Sequence, residues 1–283
     1  MLVKPAPTSS RMLDLSVVTP AHNEQENLEA LSSEVQKSLA PLGISWELVV
    51  VDDGSTDRTR AILTGLTSTR PWLRAIAMSQ TPPGKGNGQS AAFHAGIRAS
   101  RGRLIATMDA DLQNDPADLP MMLRKMTETG ADLVQGDRSH ARRDNVIRKV
   151  GSWVGRTFRR MLLGDRVRDT GCSLRIMKRE FALALPLELR GMHRFVPVTI
   201  RDLGGKVVEV PVNHRPRHAG ETKYGLGITK RAIPGLIDLF AVRYFRSRRR
   251  SVESIEVNSP AASSASHSAS PLEHEPHEAE IHA

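Results

Sequence analysis

The sequence predicts an α/β fold in which helices flank a mostly parallel, Rossmann-like sheet. Short runs rich in β-branched residues alternate with segments of helical periodicity. The 283 residues are 39% hydrophobic, which is enough for one sizeable core. Polar clusters follow the apolar runs, where strands would end. Strands that alternate with helices pair in parallel, and ligands bind beyond their carboxyl ends, so these clusters are expected to form a site.

Each element follows from its local pattern. Apolar, β-branched runs predict strands at residues 15–19, 47–51, 73–78, 104–108, 132–136, 174–177 and 207–212. Apolar residues at helical spacing predict helices at residues 24–39, 57–66, 88–99, 145–163 and 228–245.

The composition divides the chain into four parts. Residues 1–12 are expected to form a flexible leader, and residues 13–225 the folded α/β domain. Residues 226–250 are expected to form an amphipathic helix with a basic end. Ser, Ala, Pro, His and Glu dominate residues 251–283, which predicts a disordered, acidic tail.

The charge is unevenly distributed. The formal net charge is +9, but residues 1–250 carry all 40 basic and 25 of the 31 acidic residues, a net of +15. A body this basic favours an anionic partner. Nucleic acid is not expected, because aromatic content is only 4% and no binding motif is present. The single cysteine, Cys172, excludes an internal disulfide and is typical of a reducing compartment.

The run Asp109-Ala110-Asp111-Leu112-Gln113 directly follows the apolar segment at 104–108. On an extended backbone, Asp109, Asp111 and Gln113 would all point to one side. Three oxygen ligands at a strand end suit Mg²⁺ or Mn²⁺. A short Asp-x-Asp run also occurs in ordinary surface loops, so the motif alone leaves both interpretations open.

A second cluster, Asp52-Asp53-Gly54-Ser55-Thr56-Asp57, closes the second predicted strand. Gly54 permits a tight turn, and Ser55 or Thr56 can cap the next helix. An Asp here could accept hydrogen bonds from a base or ribose. A capped turn without a ligand is the alternative.

Together these motifs resemble the family-2 glycosyltransferases with the GT-A fold. The Asp109–Gln113 run has the form found in polyprenyl-phosphate sugar synthases, a subgroup that includes dolichyl-phosphate mannose synthase. The resemblance covers about residues 14–245. Further matching runs begin at Val17, Val51, Gly136, Arg148, Arg168 and Arg217.

The resemblance implies a metal-dependent, inverting transfer of sugar from a UDP- or GDP-sugar to a polyprenyl phosphate of the undecaprenyl or dolichyl type, as in cell-envelope glycan synthesis. Asp109, Asp111 and Gln113 would hold Mg²⁺ or Mn²⁺. The residues implied in nucleotide-sugar binding are Pro20, Glu24, Asp53, Asp109, Ala110, Arg217 and Lys223.

For the acceptor, the resemblance implies a phosphate site formed by Arg138, Arg148 and Ser152. Asp111, Asp169 and Arg138 are the candidate catalytic residues. Asp169 could orient the acceptor or sugar, or form a structural salt bridge to Arg168 or Arg175. His193 could act as a base, or could pack or contact the sugar. A soluble or polysaccharide acceptor is the alternative, but the Gln-x-x-Arg-Trp run typical of such relatives is missing.

No apolar run approaches the roughly 18–20 residues of a membrane span, so a cytoplasmic, peripheral protein is expected. The apolar residues of 226–250 precede a basic cluster that ends at Arg250. Such a helix could hold the protein to anionic lipid on the cytoplasmic face. The alternative is that its apolar residues pack on the domain.

Overall fold

The computed structural model describes residues 12–140, 146–217 and 228–250. Within these ranges, the side chains of residues 146–154 and 228–233 are not described.

Seven strands within the described residues form one sheet, in the order β3-β2-β1-β4-β6-β5-β7. All neighbouring strands pair in parallel except that β6 is antiparallel to β4 and β5. The strands are β1 (Leu13–Ala21), β2 (Trp46–Asp52), β3 (Leu73–Ala77), β4 (Gly102–Thr107), β5 (Leu133–Asp137), β6 (Arg175–Lys178) and β7 (Val207–Pro211).

Helices cover both faces of this sheet. One face packs against α1, α2 and α4, and the other against α3, α6 and α7. The α-helices in the described part of the chain are α1 (Leu28–Leu39), α2 (Thr59–Thr69), α3 (Gln89–Ala99), α4 (Leu119–Thr129), α5 (Val146–Leu163), α6 (Arg179–Ala184), α7 (Val196–Asp202) and α8 (Ile228–Arg248).

The central strands are buried on both faces, which is why they read as continuous apolar runs. Helix α3 lies especially close to them. Gly96 faces Val18 of β1 and Val51 of β2, and a Cβ atom at this position would collide with both side chains. This close approach places the start of α3 near the carboxyl ends of β1 and β4.

The predicted fold class is confirmed, and all seven strands lie within two residues of the predicted bounds. The first helix begins at Leu28 rather than residue 24, because the chain before it turns to contact the loop after β2. Helices α4, α6 and α7 were not predicted. In α4, buried Leu119, Met122 and Met126 have the spacing that could have revealed it.

Contacts divide the chain into two units, Met1–Arg246, which holds the whole sheet, and Ser247–Ala283, of which residues 247–250 are described. No helix in the described ranges is long and apolar enough to span a bilayer.

Helix α8 carries apolar residues on two sides. Leu239 and Val242 are buried against Leu163, Phe195 and Val198. The other side is exposed to solvent, with exposed fractions from 44% to 61%, and consists of Leu236, Ile237, Phe240, Tyr244 and Phe245. One side of this helix therefore packs on the domain, as the second of the two interpretations expected. The other side is an exposed apolar surface.

Candidate active site

Three loops meet at the carboxyl edge of the sheet, where the strand order reverses. β1 lies between β2 and β4, and the three strands run parallel. Crevices at such a switch point are where open α/β sheets bind ligands. The loops after β1, β2 and β4 contain the polar clusters found in the sequence, so this edge is the candidate active site.

The loops after β1 and β2 are joined by hydrogen bonds. The backbone N–H of Asn23 donates to Ser55 Oγ at 3.0 Å, and the N–H of Thr56 donates to Asn23 Oδ1 at 2.8 Å. The N–H of Glu24 donates to Thr59 Oγ1 at 2.9 Å. Asn23 adopts a left-handed conformation with φ 54°, a region that few residues other than Gly and Asn occupy. The pair of loops thus forms one rigid wall.

Asp53 fastens a third segment, residues 81–88, to this wall. Its carboxylate accepts hydrogen bonds from Thr81 Oγ1 at 3.0 Å, Asn87 N at 2.9 Å and Gly88 N at 2.8 Å. This segment was not among the predicted site residues. Its signal was the spacing of Gly84, Gly86 and Gly88, all of which have positive φ. Asp53 therefore shapes the predicted nucleotide pocket through residues 81–88.

Asp52 stabilises the turn after β2. It accepts from the Ser55 N–H at 3.0 Å and from Arg60 Nε at 2.7 Å. Burial alone would raise the pKa of Asp52, but these hydrogen bonds outweigh it and hold the pKa below its ordinary value. The carboxylate therefore stays ionised and keeps the turn closed.

The loop after β4 turns instead of continuing as a strand. β4 ends at Thr107, Ala110 and Asp111 lie in a turn, and buried Leu112 has φ 59°. The prediction of an extended backbone here is wrong, because the N–H of Gln113 bonds back to Asp111 Oδ1 at 3.1 Å. Leu112 is a bulky residue in a left-handed conformation, which is a mark of strain at functional loops.

Asp109 and Asp111 lie close together within this turn. Asp109 Oδ1 accepts a hydrogen bond from Gln89 Nε2 at 2.5 Å, and Asp111 Oδ2 forms an ion pair with Arg217 Nη2 at 2.9 Å. Burial and then the charge of Asp111 raise the pKa of Asp109 to about 6. The two carboxylates thus interact at the switch point, where Arg217, Arg138 and Arg175 offset part of their negative charge.

This donor set fits a hard divalent cation. Asp109 and Asp111 supply carboxylate oxygens, and the guanidinium of Arg217 shows that a cation is already accommodated at Asp111. Half-buried Gln113 contacts Asp111 through its backbone N–H. Among the residues that the structure describes, no three His, Cys, Asp or Glu side chains lie close enough together to hold a metal ion by themselves. Two carboxylate ligands leave positions on a divalent cation for phosphate oxygens and water.

A second buried charge cluster lies beside the first. Arg138, which directly follows β5, binds Asp169 through Nε at 2.8 Å and Nη2 at 3.3 Å, and each residue is 6% exposed. This ion pair was not predicted, since the salt-bridge partners considered for Asp169 were Arg168 and Arg175. Charge from Asp109 also acts on the Arg138 guanidinium, so the two clusters share one field.

Arg175 and Gln135 hold the Asp169 loop in place. Arg175 Nε donates to Gln135 Oε1 at 2.7 Å, and its Nη2 donates to Thr170 O at 3.0 Å. Gln135 Nε2 donates to the carbonyls of Asp169 and Cys172. Burial lowers the pKa of Arg175 to about 10, yet the group remains a cation at neutral pH.

The other predicted residues are placed as follows. Pro20 lies in β1 opposite Val51, and Glu24 Oε2 accepts a hydrogen bond from Asn27 at 2.7 Å. Ala110 is 3% exposed and packs in the core, so its backbone alone could meet a ligand. Arg148 and Ser152 lie on α5 with side chains outside the described part, and Lys223 lies outside the described residues.

His193 contacts the start of α3 rather than standing alone. Its Nδ1 lies 2.7 Å from Ser90 Oγ, next to the Gln89 that binds Asp109. Burial, with Arg194 and Arg175 nearby, lowers the pKa of His193 to about 3. A nitrogen with so low a pKa does not suit a general base at neutral pH. This favours the packed or sugar-contacting alternative.

Comparison with known proteins shows which family the sequence resembles. The model of glycosyl transferase family 2 matches residues 16–184. A dodecaprenyl-phosphate galacturonate synthase from Rhizobium johnstonii is 35% identical over 237 residues, covering 82% of this chain and 67% of the relative. An undecaprenyl-phosphate 4-deoxy-4-formamido-L-arabinose transferase from Edwardsiella ictaluri is 33% identical, covering 75% of this chain and 63% of the relative. The chain thus spans about two thirds of the length of these relatives.

Among solved structures, the fold is similar to that of glucosyl-3-phosphoglycerate synthase from Mycobacterium tuberculosis, determined with Mn²⁺, UDP and glucosyl-3-phosphoglycerate. The TM-score is 0.59, the identity is 23%, and 80% of each chain is covered. At 23% identity this similarity shows that the two proteins share a fold, and it shows nothing further.

Proposed function

Because the chain belongs to glycosyl transferase family 2, we propose that it moves a sugar from a UDP- or GDP-sugar to a polyprenyl phosphate. The observation that carries this proposal is the pair Asp109 and Asp111 at the switch point, with Arg217 in contact with Asp111. Relatives named for dodecaprenyl- and undecaprenyl-phosphate products support the acceptor class.

In this proposal the donor lies across the carboxyl ends of β1 and β4. Asp53, Pro20 and Glu24 shape the pocket for the base, and Arg217 and Lys223 bind the diphosphate. Mg²⁺ or Mn²⁺ held by Asp109, Asp111 and Gln113 would offset the charge that develops on the leaving nucleoside diphosphate.

The acceptor phosphate would bind near Arg138, Arg148 and Ser152, where arginine can clamp it through two hydrogen bonds. Asp169 would orient Arg138, as the buried ion pair indicates. A phosphate is already ionised at neutral pH, so it needs orientation more than a strong base. The sugar would then move in one displacement, with inversion at the anomeric carbon.

The test is sugar transfer from a panel of radiolabelled UDP- and GDP-sugars to undecaprenyl phosphate, with Mg²⁺ or Mn²⁺. We expect one donor to label the organic phase and EDTA to abolish that labelling. A water-soluble labelled product with no lipid label would instead support a soluble or polysaccharide acceptor and refute the lipid-phosphate assignment.

We place the protein on the cytoplasmic face of the membrane, held by the exposed apolar side of α8. A polyprenyl phosphate lies in the bilayer, and Phe240 and Tyr244 lie one helical turn apart on that side. In sequence, Arg248, Arg249 and Arg250 follow, and basic residues near a surface attract anionic lipid.

Replacing Phe240 and Tyr244 together by Asp is expected to weaken binding to anionic vesicles at least about tenfold, since an apolar side chain of this size contributes about 1.5–3 kcal/mol when it leaves water. Co-sedimentation with vesicles measures the effect. The matched control adds the same two charges at Thr64 and Ser68, one turn apart and exposed on α2. Equal binding of the two variants would show that α8 is not the anchor.

A further inference from the structure

We propose that Arg217 competes with the divalent cation for Asp111, so that the cation and the nucleoside diphosphate bind cooperatively. Arg217 would leave Asp111 for the diphosphate as the donor enters. This inference rests on the proposed function and concerns how its donor site is loaded.

The starting observation is that both oxygens of Asp111 are engaged. Oδ2 pairs with Arg217 Nη2 at 2.9 Å, and Oδ1 accepts the N–H of Gln113 at 3.1 Å. The Asp111 side chain is only 11% exposed, whereas that of Arg217 is 27% exposed. The carboxylate is therefore fixed at the site, and the arginine is the more accessible partner.

The backbone before Arg217 is fixed beside the Asp109–Gln113 loop. Asn114 and His214 form a β-bridge, and the N–H of Arg215 donates to Gln113 O at 2.9 Å. The side chain of Arg215 pairs with Asp115 at 2.5 Å and with Glu34 at 2.6 Å. Arg217 follows two residues later, so its guanidinium is held within reach of Asp111.

A metal ion on Asp111 would place two cations on one carboxylate. The two cations would repel each other strongly, because the site is largely buried and buried charges are only weakly screened by water and salt. Arg138 and Arg175 already act on neighbouring Asp109 as further positive charges. Hence a cation that binds alone must displace Arg217 without compensation.

The diphosphate of the donor removes this penalty. A guanidinium binds phosphate oxygens through two parallel hydrogen bonds, so Arg217 exchanges one anion for another. Asp111 then becomes available to the cation. Because coupling between two ligands is reciprocal, the nucleotide must raise cation affinity by the factor by which the cation raises nucleotide affinity.

The test measures Mn²⁺ binding to the full chain by electron paramagnetic resonance. The titration is made without nucleotide and again with UDP or GDP. For Arg217→Gln we expect the protein alone to bind Mn²⁺ about tenfold more tightly than the wild type, with a correspondingly smaller enhancement by nucleotide. Arg217→Lys keeps the charge and should stay near the wild type.

The matched control is Arg74→Gln, which removes a guanidinium of similar exposure, 26% against 27% for Arg217, from the buried carboxylate of Glu47 on β2. It should leave Mn²⁺ affinity unchanged. Equal or weaker Mn²⁺ binding by Arg217→Gln would overturn the competition.

The Asp111→Asn variant separates this result from a failure of the proposed function. If the wild type binds Mn²⁺ and Asp111→Asn does not, an unchanged Arg217→Gln refutes the competition alone. If the wild type binds no Mn²⁺ even with nucleotide, the metal site and the competition both fail. Thermal unfolding of each variant confirms that it is folded.

Discussion

Replacing Asp111 by Asn is expected to lower sugar transfer by about 10²–10³-fold or more, because it removes an anionic ligand of the cation that would offset the charge developing on the leaving nucleoside diphosphate. The fold should survive. The hydrogen bond and ion pair recorded for Asp111 join it to Gln113 and to half-buried Arg217, and such contacts contribute about 1 kcal/mol each. Transfer to undecaprenyl phosphate and the unfolding midpoint are the two measurements.

The matched control is Asp132→Asn. Asp132 pairs with Lys178 at 2.6 Å, immediately before β5 and therefore at its amino end. Both variants remove one carboxylate. Only Asp111→Asn should lose transfer, because Asp132 lies at the opposite end of the sheet from the candidate active site. Wild-type transfer by Asp111→Asn would refute the assignment of Asp111 to the metal and to catalysis.

The strands and their polar ends could be predicted because burial on both faces leaves a direct signal in the sequence. The runs at β1 and β2 are almost entirely buried, and the switch point follows from their alternation with helices. The backbone conformation of the loops was harder to predict from the sequence. No local pattern predicts that Leu112, a bulky apolar residue, should adopt φ 59°.

Contacts between segments that are distant in the sequence could not be predicted either. Asp169 was expected to pair with Arg168 or Arg175, which are near in sequence, but the ion pair joins it to Arg138, 31 residues away. Similarly, the three bonds that Asp53 accepts come from residues 81–88, about 30 residues further on. Such partners are set by which strands lie side by side in the sheet.

The ion pair between Arg138 and Asp169 should have the largest effect on stability. Asp169→Asn leaves the Arg138 guanidinium buried without its counter-charge, which costs about 3–5 kcal/mol when a buried pair is broken from one side. Urea unfolding measures the loss. Asp132→Asn is again the control, since its ion pair with Lys178 is partly exposed and contributes at most about 1 kcal/mol. Equal losses in the two variants would contradict the expectation.

The double variant Arg138→Met, Asp169→Leu separates structure from function in this pair. Apolar residues of similar volume often replace a buried ion pair with little loss of stability, so the double variant should recover part of what Asp169→Asn loses. The recovery is limited because the backbone N–H groups of Arg138 and Gly171, which donate to Asp169, lose this acceptor. If it is stable but transfers no sugar, the pair is needed to orient the acceptor phosphate. If it is stable and fully active, Arg138 and Asp169 serve the fold alone, and the acceptor site must be formed by Arg148, Ser152 and other residues.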